Sequence, residues 1–226
     1  MIKEKLEKNI LVGITGRTNK DWQSKIVAIN KLNISRVTLF LERFKVNQRR
    51  AIYEALLKSN IKQIPMVHIR DDMKEDELEF LFTNFKTRYF TIHPAHFKIM
   101  KKWKGFYKYL YVEFGSLNRI SPGVRVEKIG GFCVDLSHFK FESVAGLLEA
   151  EYINRHRHNR KLFACNHLNG YDYKNNSDVH HVQFRTQLNY LLSLPKFVFS
   201  RIIGLEMDNS IAEQLKYKKY IISLLT

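Results

Sequence analysis

Apolar runs rich in Val, Ile and Phe recur along the chain, separated by stretches in which apolar positions return every three or four residues. Alternation of that kind is the pattern of a parallel sheet with helical crossovers. The runs predict eight strands, over 10–16, 36–41, 62–69, 89–93, 109–114, 131–136, 162–167 and 201–206. Helical spacing covers 21–31, 47–59, 74–85, 142–157, 180–194 and 211–224. Asp21 is placed to cap the first of these helices and Ser210 the last. The alternation breaks between strands five and six, where residues 115–130 are glycine-rich, contain Pro122 and leave room for a short helix at most.

Eight such units imply an α/β fold of the (β/α)8 TIM-barrel kind, shortened, with a reduced helix between strands five and six and a single domain over residues 1–226. An open doubly wound sheet alternates in the same way, but its Gly-rich phosphate turn after the first strand is missing here.

A barrel of this kind places its active site at the C-terminal ends of the strands. Those ends carry metal-ligand residue types almost throughout. His68 ends strand three, His93 strand four, Glu113 strand five, His167 strand seven and Glu206 strand eight. Asp135 and His138 follow strand six, and Asp178 and His180 lie in the loop after strand seven. Carboxylates crowded at a barrel mouth repel one another unless cations offset the charge. In Asp178-Val179-His180 an extended backbone points both polar side chains the same way, so they can reach one ion. With no thiolate in the set, the ligands suit Zn²⁺ first, with Mn²⁺ or Fe²⁺ compatible with the same donors.

Charge adds a partner class. The chain has 38 Lys and Arg against 22 Asp and Glu, a formal charge of +16, which favours a polyanion and nucleic acid first. Arg17, Arg43, Lys45 and Arg70 follow strands one to three on the catalytic side and are the candidate phosphate contacts. Phe44 beside them is the candidate wedge into a distorted duplex. The basic run over residues 155–161 precedes strand seven, which puts it on the opposite face as a solvated helix end. Cys133 and Cys165 sit in apolar strands without metal-finger spacing and read as core residues. No run reaches the roughly 20 apolar residues of a membrane span, and a soluble, cytoplasmic monomer without membrane association is expected.

The segments TIHPAH, GFCVDLSH, NHLNG, SDVH and GLEMD resemble the endonuclease IV family of abasic-site endonucleases, within the xylose-isomerase-like barrel superfamily. The resemblance runs from about His68 to Glu206. It departs at His181, where the family has Glu, and after Glu113, where FGSLNR replaces a Gly-rich segment. It implies a DNA-repair hydrolase that cuts the phosphodiester 5′ to an abasic sugar with two or three divalent ions per chain. His68, His93 and Glu113 would surround the first ion. Glu113 would bridge to a second, shared with Asp135, His167 and Glu206, so Glu113, Asp135 and Glu206 are the carboxylates expected to carry catalysis. His138, Asp178 and His180 would hold the third.

Two other readings share this frame. A sugar isomerase or epimerase of the same superfamily would use one metal on Glu113, Asp135, His167 and Glu206, and would need neither His68, His93, Asp178 nor His180. A non-catalytic nucleic-acid-binding barrel would keep the charge without needing nine ligands.

Overall fold

The computed structural model describes residues 2–114, 126–146, 148–159 and 161–226. All eight apolar runs form strands, which hydrogen bonding divides into β1 (Ile10–Leu11), β2 (Gly13–Ile14), β3 (Thr38–Phe40), β4 (Met66–His68), β5 (Tyr89–Ile92), β6 (Leu110–Phe114), β7 (Gly131–Asp135) and β8 (Phe163–Leu168). A short antiparallel hairpin, β9 (Gly170–Asp172) and β10 (Ser177–Val179), follows, and β11 (Ile202–Leu205) completes the set.

Apart from the hairpin the strands form one nine-stranded parallel sheet in the order β1-β11-β8-β7-β6-β5-β4-β3-β2. Its two ends, β1 and β2, are separated in the chain by Val12 alone. Leu11 pairs with Gly204 on one side and Gly13 with Thr38 on the other, so one segment of backbone serves both edges of the sheet. The sheet is therefore nearly closed and barrel-shaped, although its strand and helix count departs from an ideal eightfold repeat.

The seam is held by Gln214, fully buried on α7 (Ile211–Leu225). Its side-chain oxygen accepts the Gly13 N–H at 2.7 Å, and its amide donates to the carbonyls of Gly13, Met207 and Asn209 at 3.0–3.1 Å. Only glycine tolerates the approach there, because a Cβ on Gly13 would lie 2.1 Å from the Leu205 carbonyl oxygen.

Alternation along each strand divides the core in two. Inward residues Leu11, Phe40, Met66, Tyr111, Cys133, Cys165 and Ile202 fill the barrel below the strand ends, and both cysteines are free and buried there. Outward residues such as Ile14, Leu39, Val67, Phe90, Val112 and Ile203 pack beneath the helices, against Trp22, Ile26, Ile52, Leu56, Leu78 and Leu81. Each such fully buried aliphatic or aromatic side chain contributes roughly 1.5–3 kcal/mol.

The helices α2 (Asn19–Lys31), α3 (Val46–Leu57) and α4 (Glu75–Phe85) lie within a few residues of their expected positions. Thr18, not Asp21, caps α2. Asp21 is the third helical residue and its carboxylate accepts the backbone N–H groups of Arg17 and Thr18. Ser210 caps α7 as expected, accepting from the Glu213 N–H.

Several expectations fail for local reasons. The helix expected over 142–157 is two helices, α5 (Leu136–Ala145) and α6 (Leu148–Arg155), because Gly146 takes a left-handed conformation (φ 67°) that ends the first. The helix expected over 180–194 is a 3₁₀ segment, Arg185–Ser193, preceded by the hairpin. Left-handed Asn176 (φ 50°) helps turn that hairpin, and the chain reaches His180 extended. Two elements carry no strong pattern in the sequence, the N-terminal α1 (Ile2–Asn9) and the 3₁₀ stretch Pro94–Tyr109. Of the irregular segment after β6, residues 115–125 lie outside the described residues, and Val126–Lys128 forms a 3₁₀ turn. Among the described residues no helix is long and apolar enough to cross a membrane.

Candidate metal centre

The pleat that sends Met66, Tyr111, Cys133 and Cys165 into the barrel sends His68, Glu113, Asp135 and His167 to the same side one step later. The register sets Asp135 beside His167 and Gly204 beside His167, so Glu206 stands just above that pair. His68, Glu113, Asp135, His167 and Glu206 are buried and form a floor. His93, His138, Asp178 and His180 form a rim, with side chains between 21% and 33% exposed.

Glu113 is the hub. Its Oε2 lies 3.4 Å from His68 Nδ1, 3.5 Å from His167 Nδ1 and 3.8 Å from His93 Nδ1, and its Oε1 lies 4.0 Å from His138 Nδ1. His167 Nδ1 is also 3.3 Å from Glu206 Oε2. On the rim, Asp178 stands between His138 Nε2 at 3.6 Å and His180 Nε2 at 3.2 Å. All nine sequence-proposed ligands are thus brought into one cluster.

Among the described residues three groups have ligand atoms all within 4.8 Å of one another: His68, His93 and Glu113; Glu113, Asp135 and His167; and His68, His167 and Glu206. The first matches the set the resemblance implies for one ion, and the second matches part of the next. The third differs, because His68 reaches across to His167 and Glu206 as well.

The donor atoms fit a cation. His68 Nδ1 and Nε2, Glu113 Oε2, His138 Nδ1 and His167 Nδ1 are all buried with no hydrogen-bond partner. A buried polar group left unpaired costs on the order of 1–3 kcal/mol, so native folds rarely gather several in one place. Divalent ions would take one nitrogen of each imidazole together with the Glu113 oxygen, and these nitrogen and oxygen donors match Zn²⁺, Mn²⁺ or Fe²⁺.

Neighbouring groups aim these donors. Thr91 Oγ1 is 3.1 Å from His167 Nε2, which leaves Nδ1 facing Glu113 and Glu206. His180 Nδ1 meets the Glu206 carbonyl at 3.2 Å, which leaves Nε2 for Asp178. Asp135 caps α5, so one oxygen accepts from the Ser137 N–H, the Ser137 hydroxyl and the His138 N–H, while Asn169 Nδ2 donates to the other at 3.3 Å. Thr91 and Asn169 were not singled out from sequence. Each sits two residues from a ligand, the spacing that shares a strand face, and this was the signal available. Glu42, just after β3, pairs its Oε1 with Arg43 Nε at 3.2 Å and leaves Oε2 buried without a partner.

Electrostatics in the metal-free cluster are strongly coupled. Burial pushes His68 down to about 3. Burial alone would raise Glu113, but the imidazoles of His93, His167 and His68 hold it well below the usual carboxylate range. Burial raises Glu42 to about 7, with Glu206 adding to the effect. Burial opposes protonation of His138 and His180, yet Asp135 and Asp178 lift His138 to about 10, and Asp178 and Glu206 lift His180 to about 9.

These last two shifts predict linked protons. At pH 7 both imidazoles are protonated without metal, and a ligand imidazole must be neutral, so metal uptake releases protons. Affinity therefore rises with pH until about 9 to 10. The raised values also favour the metal-free fold fully below the unfolded value of 6.5, and that contribution is lost as pH rises through about 9 to 10. Binding enthalpies measured in buffers of different ionisation heat give the proton count, and no net release at pH 7 contradicts this assignment.

The candidate phosphate contacts divide. Arg17 and Lys45 are exposed on the loops after β2 and β3. Arg43 and Arg70 are held at the mouth, Arg43 by Glu42 and Asp208 (3.2 and 3.5 Å), Arg70 by Asp72 (3.3 Å) and the Glu42 carbonyl (3.3 Å). Phe44 is corrected: it is fully buried in the outer core, with its carbonyl accepting from Arg49, and is no wedge. Arg49 is buried too, clamped by Glu77 and Asp72, and fixes the β3–α3 turn from below.

No protein-family model matches this chain, and no curated protein is similar enough to count as a relative, so what the cluster does is read from its own geometry.

Proposed function

We propose that the chain is a reduced (β/α)8 barrel of the endonuclease IV kind, a metal-dependent phosphodiesterase that cuts DNA on the 5′ side of an abasic nucleotide. One observation carries this reading: His138, Asp178 and His180 join the floor ligands in a single cluster, where a one-metal sugar site would have no use for them. Bound divalent ions supply Lewis acidity toward phosphate and lower the pKa of water. The chain's own residues do the rest. Glu113 and Asp135 fix the floor, Glu206 orients His167, and the rim residues stand where a phosphate would enter. Arg43 and Arg70 place guanidinium donors at the mouth, each paired there with a carboxylate, and the net charge of +16 favours a polyanion over a neutral sugar.

An abasic nucleotide has no base to unstack, so it is the least costly nucleotide to bring to a recessed site. Incubation of a duplex bearing one abasic site with the Zn²⁺- or Mn²⁺-loaded protein should give a cut immediately 5′ to the lesion, leaving a 3′-hydroxyl. Chelation and His180→Ala should each abolish it. Salt-sensitive DNA binding without cleavage supports a binding barrel instead, and turnover of a ketose or aldose without DNA binding supports the isomerase.

A further inference from the structure

The far end of the barrel from the metal centre holds a cavity of about 590 Å³ that the proposed reaction does not use. It opens where α1, the start of β8 and the turn before β11 meet, at the N-terminal ends of the strands. Its volume lies within the range of small-molecule sites, about 300–1,000 Å³.

The walls have two distinct characters. Phe163, Phe197 and Phe199 supply an apolar surface, and only Phe163 of the three is fully buried, so the other two present ring area to the cavity. Lys5, Lys161 and Arg201 supply positive charge, and no carboxylate is among the described residues that line it. Tyr89 enters from the N-terminal end of the barrel interior, its ring tilted by 47° against Tyr111 at 5.0 Å. Its phenol lies within the electrostatic reach of both Arg201 and Arg36. Lys161 belongs to the basic run that sequence alone read as a solvated helix end. Here it contributes to a concave cationic wall.

We propose that this cavity binds a small amphipathic anion, with an aromatic or aliphatic body against Phe197 and Phe199 and a phosphate, sulfonate or carboxylate head on Arg201 and Lys161. Lys5, Lys161 and Arg201 are solvent-exposed along the edge of an apolar wall, so the cavity offers charge and ring surface side by side. A ligand carrying both characters engages both. The site is separate from the metal centre and independent of the phosphodiesterase reading.

Calorimetric titration of the full-length protein with 2-naphthalenesulfonate tests it, with a naphthyl-trimethylammonium cation of similar size as the control. The sulfonate should saturate at one per chain and the cation should not bind. Arg201→Glu and Lys161→Glu should each weaken the sulfonate at least tenfold with an unchanged melting temperature. His180→Ala, at the other end of the barrel, should leave it unchanged. Arg201→Gln serves as a milder second variant if charge reversal disturbs folding. No saturable binding, equal binding of anion and cation, or binding indifferent to both Arg201 and Lys161 overturns the proposal.

Discussion

Replacing Glu113 with Gln should lower kcat/KM for abasic DNA by about a thousandfold or more, the scale of losing a key charge-stabilising group in an active site. Glu113 faces four imidazoles, at 3.4 to 4.0 Å, so the change removes a donor shared by more than one candidate ion position. The resemblance implies a bridging carboxylate at a strand end. In the structure it is buried, and that adds a stability term with a definite sign. Its depressed pKa contributes stability above the unfolded value of 4.5 and loses it as pH falls. The metal-free variant should therefore melt a few degrees below the parent at pH 7, with the gap narrowing below pH 4.5. Thermal melts and steady-state rates on the same preparation separate the two effects. Activity within tenfold of the parent, or a metal-free variant that does not fold, makes Glu113 a structural group.

Removing metal should be the largest perturbation of stability. An ion present at about a thousand times its Kd stabilises the fold by about 4 kcal/mol. For a chain of this size each kcal/mol moves Tm by roughly 2–4 °C. Chelation should thus lower Tm by about 8–16 °C, because the buried donors of His68, Glu113, His138 and His167 lose the partner the fold provides for. Divalent metal should restore it, and Mg²⁺, which prefers oxygen donors, should do so poorly. A melting curve indifferent to chelator means the orphaned atoms are tolerated without metal.

Strand positions are legible in the sequence because parallel strands buried on both faces read as continuous apolar runs, and the ligand set because those runs end in metal-ligand residue types. A residue at the C-terminal end of a parallel strand is placed by its strand, so His68, His93, Glu113, Asp135, His167 and Glu206 could be assembled before their contacts were known. What was not legible depended on local backbone events or on distant packing. The break at Val12 exists because one strand must pair on both sides to bring the sheet round. Gly146 splits a helix whose side-chain periodicity continues through it. His180 reads as the start of a helix because apolar residues at Phe184, Leu188 and Leu191 have helical spacing, yet its ring is drawn to the Glu206 carbonyl and the chain before it pairs as a hairpin. Phe44 was misplaced for the opposite reason. A Phe between Arg43 and Lys45 looks exposed in one dimension, and only the fold reveals the core beneath the β3–α3 turn.

A multi-metal phosphodiesterase centre and a one-metal site differ in how many divalent ions the cluster retains. Elemental analysis of protein purified without chelator, together with titration of the stripped protein with Zn²⁺ and with Mn²⁺, tests this most directly. Saturation at two or three ions per chain is expected, with His180→Ala lowering the count by one. Saturation at a single ion, or no retained metal in a fully folded protein, would contradict the multi-metal centre.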